Sequence, residues 1–447
     1  MEPAWASAID AAVFNTSSIN IWGRVEAIER GLLRISGISK FANVGDMLSL
    51  NPSPSAEISA EIISADAGAV LALPVAPLSS FTIGAQIYLE KEKGVCPTPD
   101  WLGQVVNARG EVLNEPYTPH RGERRDINVG PPPAARRKRI GGRLKTGLAA
   151  LDTFLPLCAG QRVGLFAGSG VGKSTLLAAL ARELSADVVV VALIGERGRE
   201  VREFVDDTLG EKGRERSVVV TATSDAPPTE KRRAALTAMT TAEYFRDQGK
   251  HVLLLFDSIT RFAEAHREIA LTAGETPSLR AFPPSTFSAL AKFCERAGPG
   301  VEGAGDITAV FSVLVAGSDM DEPIADMVRG TLDGHFILDR QIAERGRFPA
   351  LDIRRSVSRS LPGAATADEN QLLTGARRLL GAYEEAATMI RAGLYSMGSD
   401  PVIDEAIKVW PLLDDFFSTE SDSIEDSFKA LQLILAPPAI AENTQPE

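Results

Sequence analysis

RVGLFAGSGVGKSTLLAALAREL, residues 162–184 of the 447-residue chain, joins an apolar run, a glycine-rich loop and a helix-forming run. The loop AGSGVGKST, residues 167–175, fits the pattern G-x-x-x-x-G-K-[ST], with alanine at the first position. Glycines there let backbone N–H groups face a phosphate, and the helix N-terminus adds a favourable dipole. The stretch therefore predicts a nucleotide-binding P-loop between a strand and a helix. Its predicted nucleotide-contacting residues are Gly168, Ser169, Gly170, Val171, Gly172, Lys173, Ser174 and Thr175.

A magnesium site is predicted from one residue of this loop and one distant aspartate. In P-loop enzymes the serine after the lysine offers its hydroxyl to Mg²⁺, while the lysine supplies positive charge to the phosphate oxygens. These roles fall to Ser174 and Lys173. The run HVLLLFDSITRF predicts a buried strand that ends at Asp257, and a carboxylate at that tip reaches the Mg²⁺ shell directly or through water.

A third apolar run, in DVVVVALIGERGREVREF, ends in a cluster of opposed charges. Residues 188–194 read as a strand buried on both faces, so Glu196 is predicted to lie at the same sheet edge as Lys173 and Asp257. A carboxylate there can orient and deprotonate the water that attacks the γ-phosphorus. Arg197 is assigned to the chemistry with Glu196. The alternative, an amphipathic helix start with surface ion pairs, suits most of residues 199–203.

Composition excludes several other classes of protein. No apolar run approaches the roughly 20 residues that cross a bilayer, and the N-terminus lacks the pattern of a secretory signal, which indicates a cytosolic protein. The net charge of −12 disfavours a general nucleic-acid binder. The three cysteines, Cys96, Cys158 and Cys294, lie far apart and are predicted to be small buried residues without a disulfide or a zinc site.

The rest of the chain divides into regions with different patterns of apolar, polar and turn-forming residues. Six short apolar runs separated by turn residues predict a small antiparallel β-barrel. A Pro- and Gly-rich connection with the basic cluster ARRKRIGGRLK follows, and a solvated linker is its simplest interpretation. Strands then alternate with helical patterns, which indicates a parallel sheet with helices on both faces. Beyond residue 362 a stripe at i, i+3, i+4 spacing predicts a small helical domain.

Together these segments resemble the catalytic ATPases of type III protein export, most closely the flagellum-specific branch, and the wider superfamily of rotary ATP synthase α and β subunits. The resemblance spans about residues 142–359 and rests on GQRVGLFAGSGVGKSTLL, LIGERGREVREF, LLLFDSITRFAEAHREIAL, GETPSLRAFPPSTF, DEPIADMVRGTLDGHFILDR, AERGRFPALDI and SVSRS. It implies an α/β fold with a RecA-like P-loop core. The expected division is an N-terminal partner-binding segment 1–18, a β-barrel 19–95, the RecA-like ATPase domain 96–360, a C-terminal helical domain 361–436 and a disordered tail 437–447.

By the same resemblance, Glu196 would be the catalytic carboxylate and Arg197 a phosphate contact. Arg359 would be an arginine finger inserted into the neighbouring subunit's site, which makes a homohexameric ring part of the mechanism. Tyr395 would stack on adenine, with a core aromatic as the alternative. The substrate would be ATP, with Mg²⁺ as cofactor.

The resemblance also implies partners and alternatives. A flagellar export ATPase would meet a stator-like regulator, a central stalk-like subunit, the export gate, chaperones and cargo, in the cytoplasm at the periphery of the inner membrane and without nucleic acid. Three alternatives stay open: an injectisome secretion ATPase, a non-hydrolysing rotary subunit and a hexameric RNA translocase. Glu196 argues against the second, and nine acids against four bases in residues 1–90 argue against the third.

Overall fold

The computed structural model describes residues 20–51, 58–90, 94–113, 122–315 and 319–436. The predicted partner-binding segment 1–18 and the predicted tail 437–447 lie outside the described residues. None of the helices in these ranges is both long and apolar enough to cross a membrane.

The N-terminal unit is a closed antiparallel barrel, as predicted. Its strands run in the order β1-β2-β5-β4-β3-β6. Alternate residues point inward, so that Val25, Leu33 and Ile35 are completely buried in a small core of their own. The strands are β1 (Trp22–Glu29), β2 (Leu32–Ser36), β3 (Met47–Ser49), β4 (Ile58–Ala65), β5 (Ala69–Pro74) and β6 (Gln86–Leu89).

The central unit is a largely parallel sheet. Its order is β15-β14-β8-β13-β11-β9-β10-β7, and the short β12 pairs with β13. The five predicted strands correspond to β8, β9, β10, β11 and β13, whereas β14 was not predicted. The strands are β7 (Val105–Val106), β8 (Arg162–Ala167), β9 (Val188–Glu196), β10 (Ser217–Thr223), β11 (Val252–Asp257), β12 (Gly298–Pro299), β13 (Asp306–Leu314), β14 (Gly334–Leu338) and β15 (Val357–Ser358).

Helices cover both faces of this sheet, because its strands are apolar on both. In β9, Val190 and Ala192 face one core, while Val189 and Val191 face the other. The first face is covered by α5 to α8 and the second by α1 and α2. The helices are α1 (Ala149–Thr153), α2 (Lys173–Glu183), α3 (Gly198–Glu203), α4 (Gly210–Glu215), α5 (Pro228–Asp247), α6 (Ile259–Thr272), α7 (Pro284–Arg296), α8 (Pro323–Thr331) and α9 (Arg340–Glu344), with a π-helical stretch at Phe204–Thr208.

The C-terminal unit consists of three helices, α10 (Ala367–Arg391), α11 (Pro401–Phe416) and α12 (Ile424–Leu435). A capping box of Thr366 and Glu369 begins α10, whose predicted apolar stripe is confirmed. The apolar faces of all three helices join the core cluster on the second face of the sheet. Phe417, just after α11, meets Phe154 edge to face at a centroid distance of 5.3 Å. The helical unit is thus packed directly onto the nucleotide-binding sheet.

The basic cluster in residues 135–145 is not simply the solvated linker that its composition predicted. Arg137 donates to the Ala297 carbonyl at 3.2 Å, and Lys138 donates to the Ala304 carbonyl at 2.8 Å. Arg143 donates to the Ala364 carbonyl at 2.7 Å. Burial lowers the pKa of Arg137 from its ordinary value, since the charged form loses solvent. These cations hold the connection to the core by binding backbone carbonyls, a role that composition does not reveal.

Two of the three cysteines are buried as predicted, and the third is not. Cys158 and Cys294 are buried free thiols, while Cys96 is only partly buried. Burial raises the pKa of Cys294 to about 12, so this thiol stays protonated and unreactive at neutral pH.

Candidate active site

The candidate site lies where the parallel strands of the central sheet end. The register places Leu314 beside Ala167 and Asp257 beside Leu193, so that the carboxyl ends of β8, β9, β11 and β13 meet at one edge. Ligands bind at this edge in open α/β sheets. The P-loop, Glu196 and Asp257 therefore share one edge, as the sequence predicted.

The P-loop has the backbone that phosphate binding requires. Gly170 and Gly172 have φ values of +77° and +86°, in the left-handed region that favours glycine. Val171 between them is only 2% exposed, and its side chain packs into the core on the second face of the sheet, which holds the loop in place. Helix α2 begins at Lys173, and Ser174 on its first turn is exposed. The loop thus presents backbone, helix N-terminus and a hydroxyl to solvent.

Lys173 is the centre of a three-residue charged cluster. Its ammonium group forms an ion pair with Asp257, and its Nζ lies 3.6 Å from Glu196 Oε1. Asp257 also accepts a hydrogen bond of 2.7 Å from Ser312 Oγ, and its side chain is only 4% exposed. The two acids hold the lysine where a phosphate would meet it, so a bound nucleotide would compete with them for its charge.

The carboxyl group of Glu196 is a stronger base than an ordinary glutamate. Burial raises its pKa, and the neighbouring negative charge of Asp257 raises it further, while Lys173 opposes the shift. A carboxylate with a raised pKa accepts a proton from water more readily. Its position and its proton affinity therefore both suit a general base.

Arg197 pairs with Glu200, whose carboxyl group in turn shares a hydrogen bond with Glu196. The Arg197 side chain is 76% exposed and its Nη1 pairs with Glu200 Oε1 at 2.6 Å. That hydrogen bond is the main cause of the lowered pKa of Glu200. The helix that was predicted to follow is present, with Val201 and Phe204 on its buried side. The catalytic role of Arg197 stays a prediction.

Arg359 lies far from the P-loop of its own chain. It follows β15, where Ser358 pairs with Gly334 at the beginning of β14. The other end of β14, Leu338, pairs with Ala167 at the ligand edge. A five-residue strand spans about 13 Å between its terminal Cα atoms, at roughly 3.3 Å per residue. The exposed guanidinium donates to the Arg329 carbonyl at 3.3 Å. Arg359 is thus placed at the opposite end of the strands from its own site.

Tyr395 lies in the connection between α10 and α11. Its hydroxyl donates to Asp404 Oδ1 at 2.8 Å, and its side chain is part-buried. Tyr395 is therefore not a fully buried core aromatic, and its contact with adenine stays a prediction.

Phe348 is an aromatic residue beside the P-loop that was not among the site residues predicted from the sequence. A Cβ atom added to Gly172 would stand 3.2 Å from Phe348 Cδ1, so the ring lies against the loop. Phe348 is nevertheless 51% exposed. An exposed aromatic face at this position is suited to stacking on a planar base. The one signal in the sequence was its place in AERGRFPALDI, a segment that carried the family resemblance.

Comparison with known proteins agrees with this geometry. Residues 147–358 match the family model of the ATP synthase alpha/beta family, nucleotide-binding domain. Residues 365–432 match that of the T3SS EscN ATPase C-terminal domain. A flagellum-specific ATP synthase from Caulobacter vibrioides is 45% identical over 435 residues, which cover 95% of this chain and 98% of that protein. The chain belongs to the ATP synthase alpha/beta family.

Members of the ATP synthase alpha/beta family from both kinds of type III system resemble it. The SPI-2 type 3 secretion system ATPase of Salmonella typhimurium is 42% identical over 404 residues, covering 90% of this chain and 92% of that protein. The assembled ATPase EscN of enteropathogenic E. coli matches with a TM-score of 0.84 and 37% identity, covering 93% of this chain and all of that one. Within this family the chain is a P-loop ATPase, and the EscN structure has the same three-part architecture.

Proposed function

We propose that this chain hydrolyses Mg-ATP as a homohexameric ring and powers the type III export of flagellar proteins. The observation that carries the hydrolase assignment is the contact of Lys173 with both Asp257 and Glu196 beside the P-loop. The flagellar assignment is supported by the 45% identity to the Caulobacter flagellum-specific protein over nearly the full length of both chains.

The P-loop, Lys173, Phe348 and Glu196 each have a proposed role in this reaction. The N–H groups of the P-loop bind the β- and γ-phosphates, and Lys173 neutralises their charge. Phe348 lies beside the adenine ring. Glu196 orients the attacking water and takes its proton.

The residues present also fit a magnesium ion. A bound Mg²⁺ neutralises the phosphate charge that develops during the reaction. Ser174 and Asp257 would hold the ion, directly or through water. The described residues contain no group of three or more His, Cys, Asp or Glu side chains arranged for a metal. This agrees with an ion held mainly by the nucleotide and water, because Mg²⁺ usually keeps few protein ligands in such sites.

A ring is proposed because Arg359 is exposed at the opposite end of its own sheet. In a ring, an arginine there can enter the neighbouring site. A relative, EscN, has been solved as an assembled ATPase and in complex with its central stalk EscO. We infer a stalk-like partner for this chain as well, and the α10–α11 connection offers Leu394, 77% exposed, and Met397, 60% exposed, as contact residues.

The remaining proposed partners are a stator-like regulator, the export gate, chaperones and cargo, without nucleic acid. The proposed location is the cytoplasmic face of the inner membrane. The proposed division of the chain is the one expected from the family resemblance, with boundaries near residues 18, 95, 360 and 436.

The ring predicts that specific ATPase activity rises with protein concentration. Diluted monomers would lack Arg359 from a neighbour and would hydrolyse slowly, whereas assembled rings would be fast. Phosphate release should be measured over a dilution series, with the oligomeric state at each concentration determined by analytical ultracentrifugation. A specific activity that stays constant down to monomeric concentrations would contradict the proposal.

The export system is tested in the source bacterium. A strain lacking this gene should lose swimming in soft agar and flagellin in the culture supernatant, and the wild-type gene should restore both. The 42% identity to the SPI-2 ATPase makes an injectisome the second candidate. Normal motility in the deletion strain, with loss of another secreted set of proteins, would replace the flagellar assignment by that one.

A further inference from the structure

The segment that carries Phe348 leaves the ligand edge of the sheet and returns to it. The Asp339 N–H donates to the Ala350 carbonyl, and the Asp352 N–H donates to the Ile337 carbonyl, both at 2.9 Å. Residues 340–349, here called the return loop, project from this closed base. The loop contains α9 and then Phe348, which lies against Gly172 of the P-loop.

Arg347 fastens the return loop to the C-terminal helices. Its side chain is only 9% exposed, and its Nη1 lies 3.3 Å from Asp414 Oδ1 in α11. Its guanidinium stands over the Phe417 ring at 5.2 Å from the centroid. The same side chain also donates to the Leu351 carbonyl at the base of the loop. Arg347 thus joins the loop, its base and α11 in one contact.

The far side of this contact belongs to the buried core. Phe417 packs edge to face on Phe154, which is completely buried in the core under the sheet. By contrast, the other arginines of the loop make looser contacts. Arg340 pairs with Glu344 at 3.0 Å, with its side chain 76% exposed, and Arg345 lies 6.0 Å from the Trp410 ring. A buried, multiply bonded guanidinium fixes geometry better than these exposed ones do.

We propose that Arg347 is a positioning residue for nucleotide binding. By holding the return loop on α11, it keeps the adjacent Phe348 ring in place at the P-loop, so that affinity for adenine nucleotides depends on the docking of the C-terminal helices. The inference rests on the proposed function, in which Phe348 meets adenine. Without Arg347 the loop samples other positions, and the nucleotide must order it on binding, which weakens affinity.

The test measures the binding of Mg-ADP to the full chain by titration calorimetry. Arg347→Met keeps most of the side-chain length but removes the charge, and we expect a Kd roughly 10-fold higher. Phe348→Ala should weaken binding at least as much. Because Arg347 acts through Phe348, the double variant should bind no more weakly than Phe348→Ala alone. For Arg347→Met, kcat at saturating ATP should stay within about twofold while KM rises. The reason is that the lost interaction stabilises the bound substrate and the transition state equally.

Matched variants separate this effect from a general loss of structure. Arg340→Met removes an exposed cation of the same loop and should leave the Kd unchanged. Arg347→Lys retains the charge and should restore part of the affinity. Asp414→Asn removes the partner instead and should weaken binding as Arg347→Met does, which keeps the test valid if Arg347→Met folds poorly in circular dichroism and thermal melts.

The outcomes distinguish this inference from the proposed function. An unchanged Kd in Arg347→Met and Asp414→Asn, with a raised Kd in Phe348→Ala, overturns the role of Arg347 but keeps the adenine contact. Additive effects of Arg347→Met and Phe348→Ala also overturn it. An unchanged Kd in Phe348→Ala removes the adenine contact itself and the inference with it.

Discussion

Glu196→Gln should lower the steady-state ATPase rate by about 10²–10⁴-fold while nucleotide affinity stays within about twofold. Glutamine keeps the size and hydrogen bonding of the side chain but cannot accept the proton of the attacking water. Glu196 lies 3.6 Å from Lys173, and the lysine keeps its ion pair with Asp257 and its positive charge after the substitution, so it can still bind phosphate. The rate is measured by phosphate release and the affinity by calorimetry with Mg-ADP.

The matched control for this variant is Glu203→Gln. Glu203 is the last residue of α3, and its side chain is exposed. Loss of an exposed surface charge should leave the rate within about twofold. Retained hydrolysis in Glu196→Gln, or an equal loss in Glu203→Gln, would remove Glu196 from the reaction as the base.

Arg359→Ala should lower kcat by about 10³–10⁵-fold, the usual effect of losing an arginine finger, with little change in nucleotide binding. Arg359 lies at the opposite end of β14 from its own P-loop, so in the proposed ring we expect it to act on a neighbour's nucleotide. A mixing experiment tests the trans arrangement directly. Arg359→Ala and Glu196→Gln subunits, each inactive alone, should regain activity when combined, because some interfaces then join an intact Glu196 to an intact Arg359.

The controls for this experiment are another exposed arginine and the double variant. Arg202→Ala, whose parent side chain is 86% exposed, should retain full activity. A chain carrying both Arg359→Ala and Glu196→Gln should give no recovery when mixed with either single variant, because each such pair lacks one of the two groups at every site. Absence of recovery in the mixture of the two single variants, at concentrations where rings are demonstrated, would contradict action in trans.

The sequence predicted the long strands and missed the short ones for the same physical reason. Runs such as residues 188–194 are apolar throughout because they are buried on both faces, and this pattern is visible without a structure. Strands of two residues, β7, β12 and β15, contain too few positions for any periodicity. β14 has five residues and begins with Gly-His, which leaves only three consecutive apolar residues. That run is too short to indicate a strand from the sequence.

The candidate site was likewise predicted only in part from the sequence. Lys173, Glu196 and Asp257 were predicted because each lies at or just beyond the end of an apolar strand, and parallel strands bring their ends together. The contact of Phe348 with Gly172 joins two loops far apart in sequence, and neither local pattern specifies it. The carbonyl contacts of Arg137 and Arg143 were missed because the partner carbonyls lie 160 and 221 residues further along the chain, and a backbone carbonyl has no sequence signal of its own. Tertiary contacts between irregular segments were thus the part that patterning could not predict.

The packing of Phe417 on Phe154 has a consequence for making chimeras. Because α10 to α12 complete the core beneath the P-loop sheet, the helical unit is not an exchangeable module joined by a linker. Grafting the C-terminal helices of a related ATPase onto this sheet would leave mismatched cavities at Phe154 unless the recipient surface were changed with them. Changes in the buried faces of those helices therefore have to evolve together with the hydrophobic underside of the sheet.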